Sequence, residues 1–260
     1  MQPRPPVRWS FVAASMIHPG LRDRAVSIGV FDSDGGENHV LPGANAVLGL
    51  QLSGHVRAGE RRLSRIGVTG IQQTLRTYEY APVTRSVLVR LAPQGSTCFG
   101  VPAWELASRN VGLDELVKPA HTREVMARIE HAAEPADAIA VVEQLLLSMP
   151  FAVDPVVERA LVLLDRAGDE DKHVARVART LGLSERQLER RFRDRVGMSP
   201  KRFVSLRRFE RAVELAISSR SLTRAAVEAG YYDQPHFNRE FRRFTGMTPS
   251  AWLRMSDPYK

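Results

Sequence analysis

The sequence predicts an α+β protein, with a β-rich first part followed by an all-helical second part built on a duplicated unit. Three observations predict it. The hydrophobic period changes along the chain, from short apolar or alternating runs to a repeat of three and four. A segment near residue 190 recurs 49 residues later. The charge is also uneven: residues 172–254 carry 19 basic and 8 acidic side chains, against 15 and 14 in residues 1–150.

The strands come first. Val26 to Phe31, Ala46 to Leu52, Ile66 to Thr69 and Ser86 to Leu91 are short runs rich in β-branched and apolar residues. Turn residues bound them, as in Ser33-Asp34-Gly35-Gly36, Pro42-Gly43 and Pro93-Gln94-Gly95. From His121 to Ala133 and from Asp137 to Met149 the period is helical, punctuated by Pro135 and Pro150. A boundary falls at Phe151 to Pro155, which divides the chain into residues 1–150 and 151–260.

The repeat defines the second part. At a shift of 49, Arg190 aligns with Arg239, Phe192 with Phe241, Arg193 with Arg242, Gly197 with Gly246, Met198 with Met247 and Pro200 with Pro249. Upstream the shift is 48, pairing Gly182 with Gly230 and Ala178 with Ala226. In the first copy, Val174, Val177, Ala178 and Leu181 lie at helical spacing, and Gly182 permits the left-handed residue that ends a helix. Ser184 and Gln187 then form a capping box for a second helix, whose apolar face is Leu188, Phe192 and Val196. Two short helices about a glycine turn make a helix-turn-helix, here over about 173–196. In the second copy, over about 221–245, Leu222, Ala225, Ala226 and Ala229 pack the first helix. Asp233 caps the next, Pro235 lies in its first turn, and Phe237, Phe241 and Phe244 face inward. Between the copies, about 200–218 forms one long helix with Phe203, Leu206, Val213 and Ile217 as its buried stripe.

The outward faces carry the chemistry. Arg186, Glu189, Arg190 and Arg193 form one stripe, which taken alone also fits an ordinary solvated helix face. The matching side of the second copy offers Gln234, Asn238, Arg239 and Arg242. Arg suits guanine O6 and N7, and Asn or Gln suits adenine N6 and N7, in a major groove wide enough for a helix. With the basic excess, this pair of stripes points to double-stranded DNA as the partner.

Other chemistries find less support. Zinc sites of the thiolate type need about four cysteines, and Cys98 stands alone, reading as a small buried residue. Seven histidines are scattered, with His39 and His55 alone placed to meet across strands. No catalytic constellation, phosphate loop or metal set is read, so the chain is expected not to be an enzyme. The longest apolar runs fall short of the ~20 residues that cross a bilayer, and no leader peptide is read near Trp9 to Ile17, so a cytoplasmic protein is expected. The alternative function is a ligand-binding protein or enzyme that keeps the helical fold without specific DNA binding.

These residues resemble the AraC/XylS family of bacterial regulators. The likeness rests on Gly-Leu-Ser-Glu-Arg-Gln-Leu-Glu-Arg-Arg-Phe-Arg at 182–193, Gly-Met-Ser-Pro-Lys-Arg-Phe at 197–203 and the run from Ala229 to Trp252, and covers about 172–254. It implies base reading by Arg186, Glu189 and Arg190 in one unit and by Gln234, Asn238 and Arg239 in the other. His236 is then placed near a phosphate, and Arg193, Arg202, Arg207, Arg208 and Arg242 are further phosphate contacts. Ala225 is smaller than the β-branched residue common at its position, which implies looser packing of the second unit. Residues 1–150 resemble, less specifically, a sensory domain of the family, through 68–72, 86–91 and 99–102. That implies a cupin-like β domain binding an unknown small-molecule effector or a second subunit as a homodimer. No cofactor is implied. The resemblance also implies transcriptional activation, and with it contact with RNA polymerase.

Overall fold

In the computed structural model, the described residues are 7–12, 17–132, 134–165, 170–219 and 221–256. The chain is α+β, as the period change predicts. Among the described residues up to 112 there are ten strands: β1 (Val7–Val12), β2 (Ala25–Ser33), β3 (Gly36–Val40), β4 (Val47–Ser53), β5 (Val56–Ala58), β6 (Arg61–Arg62), β7 (Ile66–Thr69), β8 (Arg76–Tyr80), β9 (Thr84–Leu91) and β10 (Asn110–Gly112). They form two antiparallel sheets, one in the order β1-β2-β9-β4-β7-β10 and a smaller one in the order β3-β8-β5-β6.

The four strands read from sequence all lie in the larger sheet, because their alternation is strong. Along β9, Val87, Val89 and Leu91 are fully buried on one face, while Ser86, Leu88 and Arg90 turn towards the smaller sheet. Between the sheets lies a cavity of about 420 Å³. Short helices α1 (Ala103–Leu106) and α2 (Leu113–Leu116) follow. Then come α3 (Pro119–Glu130) and α4 (Pro135–Ser148), whose Val142 and Leu146 enter the core.

The remaining helices are α5 (Pro155–Leu164), α6 (Glu170–Thr180), α7 (Glu185–Val196), α8 (Pro200–Ser219), α9 (Leu222–Glu228), α10 (Gln234–Thr245) and α11 (Pro249–Ser256). The caps are those the sequence specifies. Ser184 Oγ accepts from the Gln187 amide at 3.3 Å while Gln187 Oε1 accepts from the Ser184 amide at 2.9 Å. Asp233 Oδ1 accepts from the His236 amide at 2.7 Å, with Pro235 in the first turn of α10. Gly182 and Gly230 hold φ of +69° and +92° at the matching turns of the two units, a region L side chains avoid.

Helix α8 is 20 residues long, about 30 Å at 1.5 Å per residue, and its first three turns are buried. Ile217 departs from the expected stripe. It is 56% exposed, and Ala216, three residues after Val213, is buried in its place as the stripe steps round the helix. Ala225 is fully buried on α9. Packing of α8 against both halves explains its heavy burial: Phe209 stacks on Phe241 and Phe244 on one side, and on the other lines the cavity together with Val213.

Candidate nucleic-acid interface

Helices α7 and α10 each bury one mainly apolar face, and this decides which side is left for a partner. On α7, Leu188, Phe192 and Val196 are wholly buried. The residues out of phase with them, Arg186, Glu189, Arg190 and Arg193, are all exposed. On α10, Phe237, Phe241 and Phe244 are buried and Arg239 and Arg242 are exposed. Gln234, His236 and Asn238 are half-buried. The Gln234 carboxamide Oε1 accepts from the Thr223 hydroxyl of α9 at 2.6 Å. Asn238 Oδ1 is shielded from solvent and has no hydrogen-bond partner among the described residues. The His236 ring stands edge-on to Tyr231 at 5.3 Å.

Three of the expected phosphate contacts bond groups of the protein itself. Arg208 donates to Glu240 Oε2 at 2.7 Å and lies over the Tyr231 ring, with its side chain 18% exposed. Arg207 is held by Asp165 at 3.1 Å and Glu210 at 2.8 Å. Arg202 donates to the Gln73 carbonyl at 3.0 Å and covers the Phe244 ring. All three sit on α8 and tie it to other elements or to itself, Arg207 with its side chain still 39% exposed. Arg193 is exposed as expected, but its guanidinium stacks over Trp104 of α1 at 5.4 Å.

The network behind α10 lies outside the sequence expectations. Glu240 is only 6% exposed and accepts from the Ser205 hydroxyl, Arg208 and Arg243. Burial pushes its carboxyl pKa up, but the Ser205 hydroxyl and the Arg208 guanidinium outweigh that and hold it below the usual value. Burial drives the Tyr231 hydroxyl far above its normal range. One signal was available. Glu240 lies three residues after Phe237 and one before Phe241, so a carboxylate stands on the buried stripe, where only a paired charge is tolerated. Tyr232 was also passed over. It is 92% exposed immediately before the Asp233 cap, beside the start of the polar stripe.

Residues 177–255 match the family model described as a helix-turn-helix domain. The C-terminal region is an AraC-type helix-turn-helix domain. Over 102 residues the chain is 30% identical to an uncharacterized HTH-type transcriptional regulator of Haemophilus influenzae, covering 39% of this chain and 34% of that one. Over 182 residues it is 26% identical to the HTH-type transcriptional activator RhaR of Escherichia coli O139:H28, covering 63% and 62%. The chain thus spans less than two thirds of the length of these curated relatives. Among solved structures, ToxT of Vibrio cholerae aligns with a TM-score of 0.48 at 9% identity, over 88% of this chain and 97% of that one. Within the AraC-type domain, α6 and α7 form the first unit, α9 and α10 the second, and α8 the link.

Cys98 and His39 lie apart from this face. Cys98 is buried, and burial pushes its thiol up to about 12. His39 pairs with Thr77 Oγ1 at 2.9 Å across β3 and β8. No described helix is long and apolar enough to cross a membrane.

Proposed function

We propose that the chain is a sequence-specific DNA-binding transcription regulator whose α7 and α10 enter two adjacent major-groove segments. One observation carries this reading. Two copies of one unit bury their phenylalanine faces completely and leave exposed arginine on the opposite side of each second helix. Arg186, Glu189 and Arg190 read bases from α7, and Gln234, Asn238 and Arg239 from α10. Arg193, Arg242 and the His236 edge face the phosphates. The polar stripes suit this use because Arg donates bidentately to guanine while Asn and Gln match adenine.

The finer parts of the reading are also proposals. Residues 151–260 form the DNA-binding part, and residues 1–150 the sensory part, with a small-molecule effector in the cavity and a homodimer contact. The named relative RhaR is a transcriptional activator, which supports activation, and hence contact with RNA polymerase, in the cytoplasm. The chain acts by binding, without catalysis.

The test is selection of bound DNA from a random pool, followed by Arg190→Ala and Arg239→Ala. Each variant is expected to lose about 1–3 kcal/mol on the selected site and to relax preference at one or two base pairs. Unchanged preference in both variants, or no enrichment of any sequence by the unaltered chain, would overturn the assignment.

A further inference from the structure

The cavity between the sheets has walls specific enough to say what class of molecule they suit. It is bounded by both sheets on the sides and by Phe209 and Val213 of α8 across one end. Its volume, about 420 Å³, lies within the ~300–1,000 Å³ usual for small-molecule sites. The floor reaches the backbone at Gly49, where an added Cβ would rest 3.4 Å from Leu88 Cδ2, an ordinary contact.

The polar groups lining it are neutral and largely engaged with one another. Asn110 Oδ1 accepts from the Thr69 hydroxyl at 2.7 Å and the Tyr78 hydroxyl at 3.3 Å. Gln51 donates to the Ser64 carbonyl at 3.0 Å. Charged lining groups are either compensated or in water. Glu210 Oε1 accepts from the Ala44 amide at 2.9 Å and its Oε2 from Arg207 at 2.8 Å. Arg61 pairs with Glu115 at 3.6 Å, and Arg90 and Glu214 are exposed to solvent. A ligand charge brought inside would therefore be desolvated without a buried counter-charge, which costs several kcal/mol in effective terms. Burial raises the Tyr78 and Tyr80 hydroxyls above their ordinary range, in keeping with an interior that disfavours charge.

We propose that this cavity binds an uncharged, mainly apolar small molecule bearing a hydroxyl or carbonyl group, which exchanges hydrogen bonds with the Asn110, Gln51 and tyrosine side chains. The assignment rests on the sensory reading of residues 1–150. Its contact with Phe209 and Val213 places the ligand directly against the helix that joins the two DNA-binding units.

The experiment uses the purified full chain and three probes of equal length: 1-decanol, decanoate and decylammonium. Binding is measured by calorimetry and by shift of the melting temperature. 1-Decanol is expected to bind at least about 100-fold more tightly than either ion, the ratio implied by an uncompensated buried charge. Gly49→Leu and, independently, Leu88→Phe fill the cavity and are expected to weaken 1-decanol by more than about 10-fold. Circular dichroism of each variant checks that the fold is kept. Preference for decanoate or decylammonium would overturn the proposal, as would saturable binding of 1-decanol unaffected in both folded variants, or no binding of any probe. DNA affinity is read in parallel. Tight 1-decanol binding that leaves DNA affinity unchanged would uphold the ligand class and overturn the sensory reading instead.

Discussion

Glu240 gives the sharpest test of how the second helix-turn-helix unit is held together. Its carboxylate is 6% exposed and bonds Arg208 and Arg243, both at 2.7 Å, as well as Ser205. The two ion pairs differ in weight. The Arg243 side chain is 57% exposed, so that pair is screened and contributes at most about 1 kcal/mol. The Arg208 side chain is 18% exposed, and removing Glu240 takes away the carboxylate that balances its desolvated guanidinium, which costs about 3–5 kcal/mol. Glu240→Ala should therefore lower stability by about 3–5 kcal/mol, dominated by Arg208. Adding Arg208→Met should return a large part of the loss, because the unbalanced charge goes with it. The effect also depends on pH. Net stabilisation of the carboxylate holds the folded-state pKa below the reference value of 4.5. Its contribution is complete above that unfolded-chain value and disappears as pH falls through the lower folded-state value. Urea unfolding at pH 7 and at pH below 4 is the assay. A Glu240→Ala penalty under about 0.5 kcal/mol at pH 7, or one equally large in acid, would refute the reasoning.

Trp104→Ala removes the ring on which Arg193 stacks, an interaction of about 0.5–1 kcal/mol at exposed sites. If that stacking competes with DNA, affinity in a gel-shift titration should rise about 2- to 5-fold; unchanged or weaker binding would show that it does not compete. Arg207→Ala should lower melting temperature while leaving the salt dependence of DNA affinity intact, because its partners are Asp165 and Glu210; a slope reduced by about one would restore it to the phosphate contacts. Glu210→Ala should speed amide hydrogen exchange at Ala44, whose N–H it accepts at 2.9 Å, and no change there would argue against that tie. Cys98 should resist a thiol reagent at pH 8 in the folded chain and react once unfolded, since burial raises its pKa to about 12; rapid labelling of the native protein would contradict its buried placement.

How much was readable in the sequence differs between the two parts for a physical reason. Helix limits in the duplicated units are set by local chemistry, namely Ser184 with Gln187, Asp233 with Pro235, and the glycines that follow each helix. Such signals act within three or four residues, and the observed limits agree with them closely. The smaller sheet lacked any such signal. Of β8, only Tyr78 is buried, and β6 is two exposed arginines. The partners of β8, β3 and β5, come from distant chain segments, and the β5–β6 hairpin is too short and too exposed for apolar alternation to mark it. The same distinction divides the site. Exposure of Arg190 and Arg239 follows from helix phase alone. The inward use of Arg202, Arg207 and Arg208 depends on Gln73, Asp165 and Glu240, which no local pattern brings near.

That inward use bears on how the two parts communicate. The AraC-type domain is held against the β-rich part at several places, three of them on α7, α10 and α8 in turn. Gly197, at the end of α7, lies so close to Ala103 that an added Cβ would sit 2.9 Å from its carbonyl oxygen. The Leu75 amide donates to the Phe244 carbonyl of α10 at 3.0 Å. Glu210 of α8 accepts from Ala44 at the cavity rim. Helices α7, α8 and α10 thus all touch the β-rich part, α7 also through Arg193 of its exposed stripe, which lies over Trp104. Close-packed contacts of this kind shift between discrete arrangements more readily than they stretch. A ligand displacing Phe209 or Val213 would move α8, and Phe209 already stacks on Phe241 and Phe244 of α10. One physical route from the cavity to α10 is therefore two side chains long, through Phe209 to Phe241 or Phe244, and it leads to the second unit.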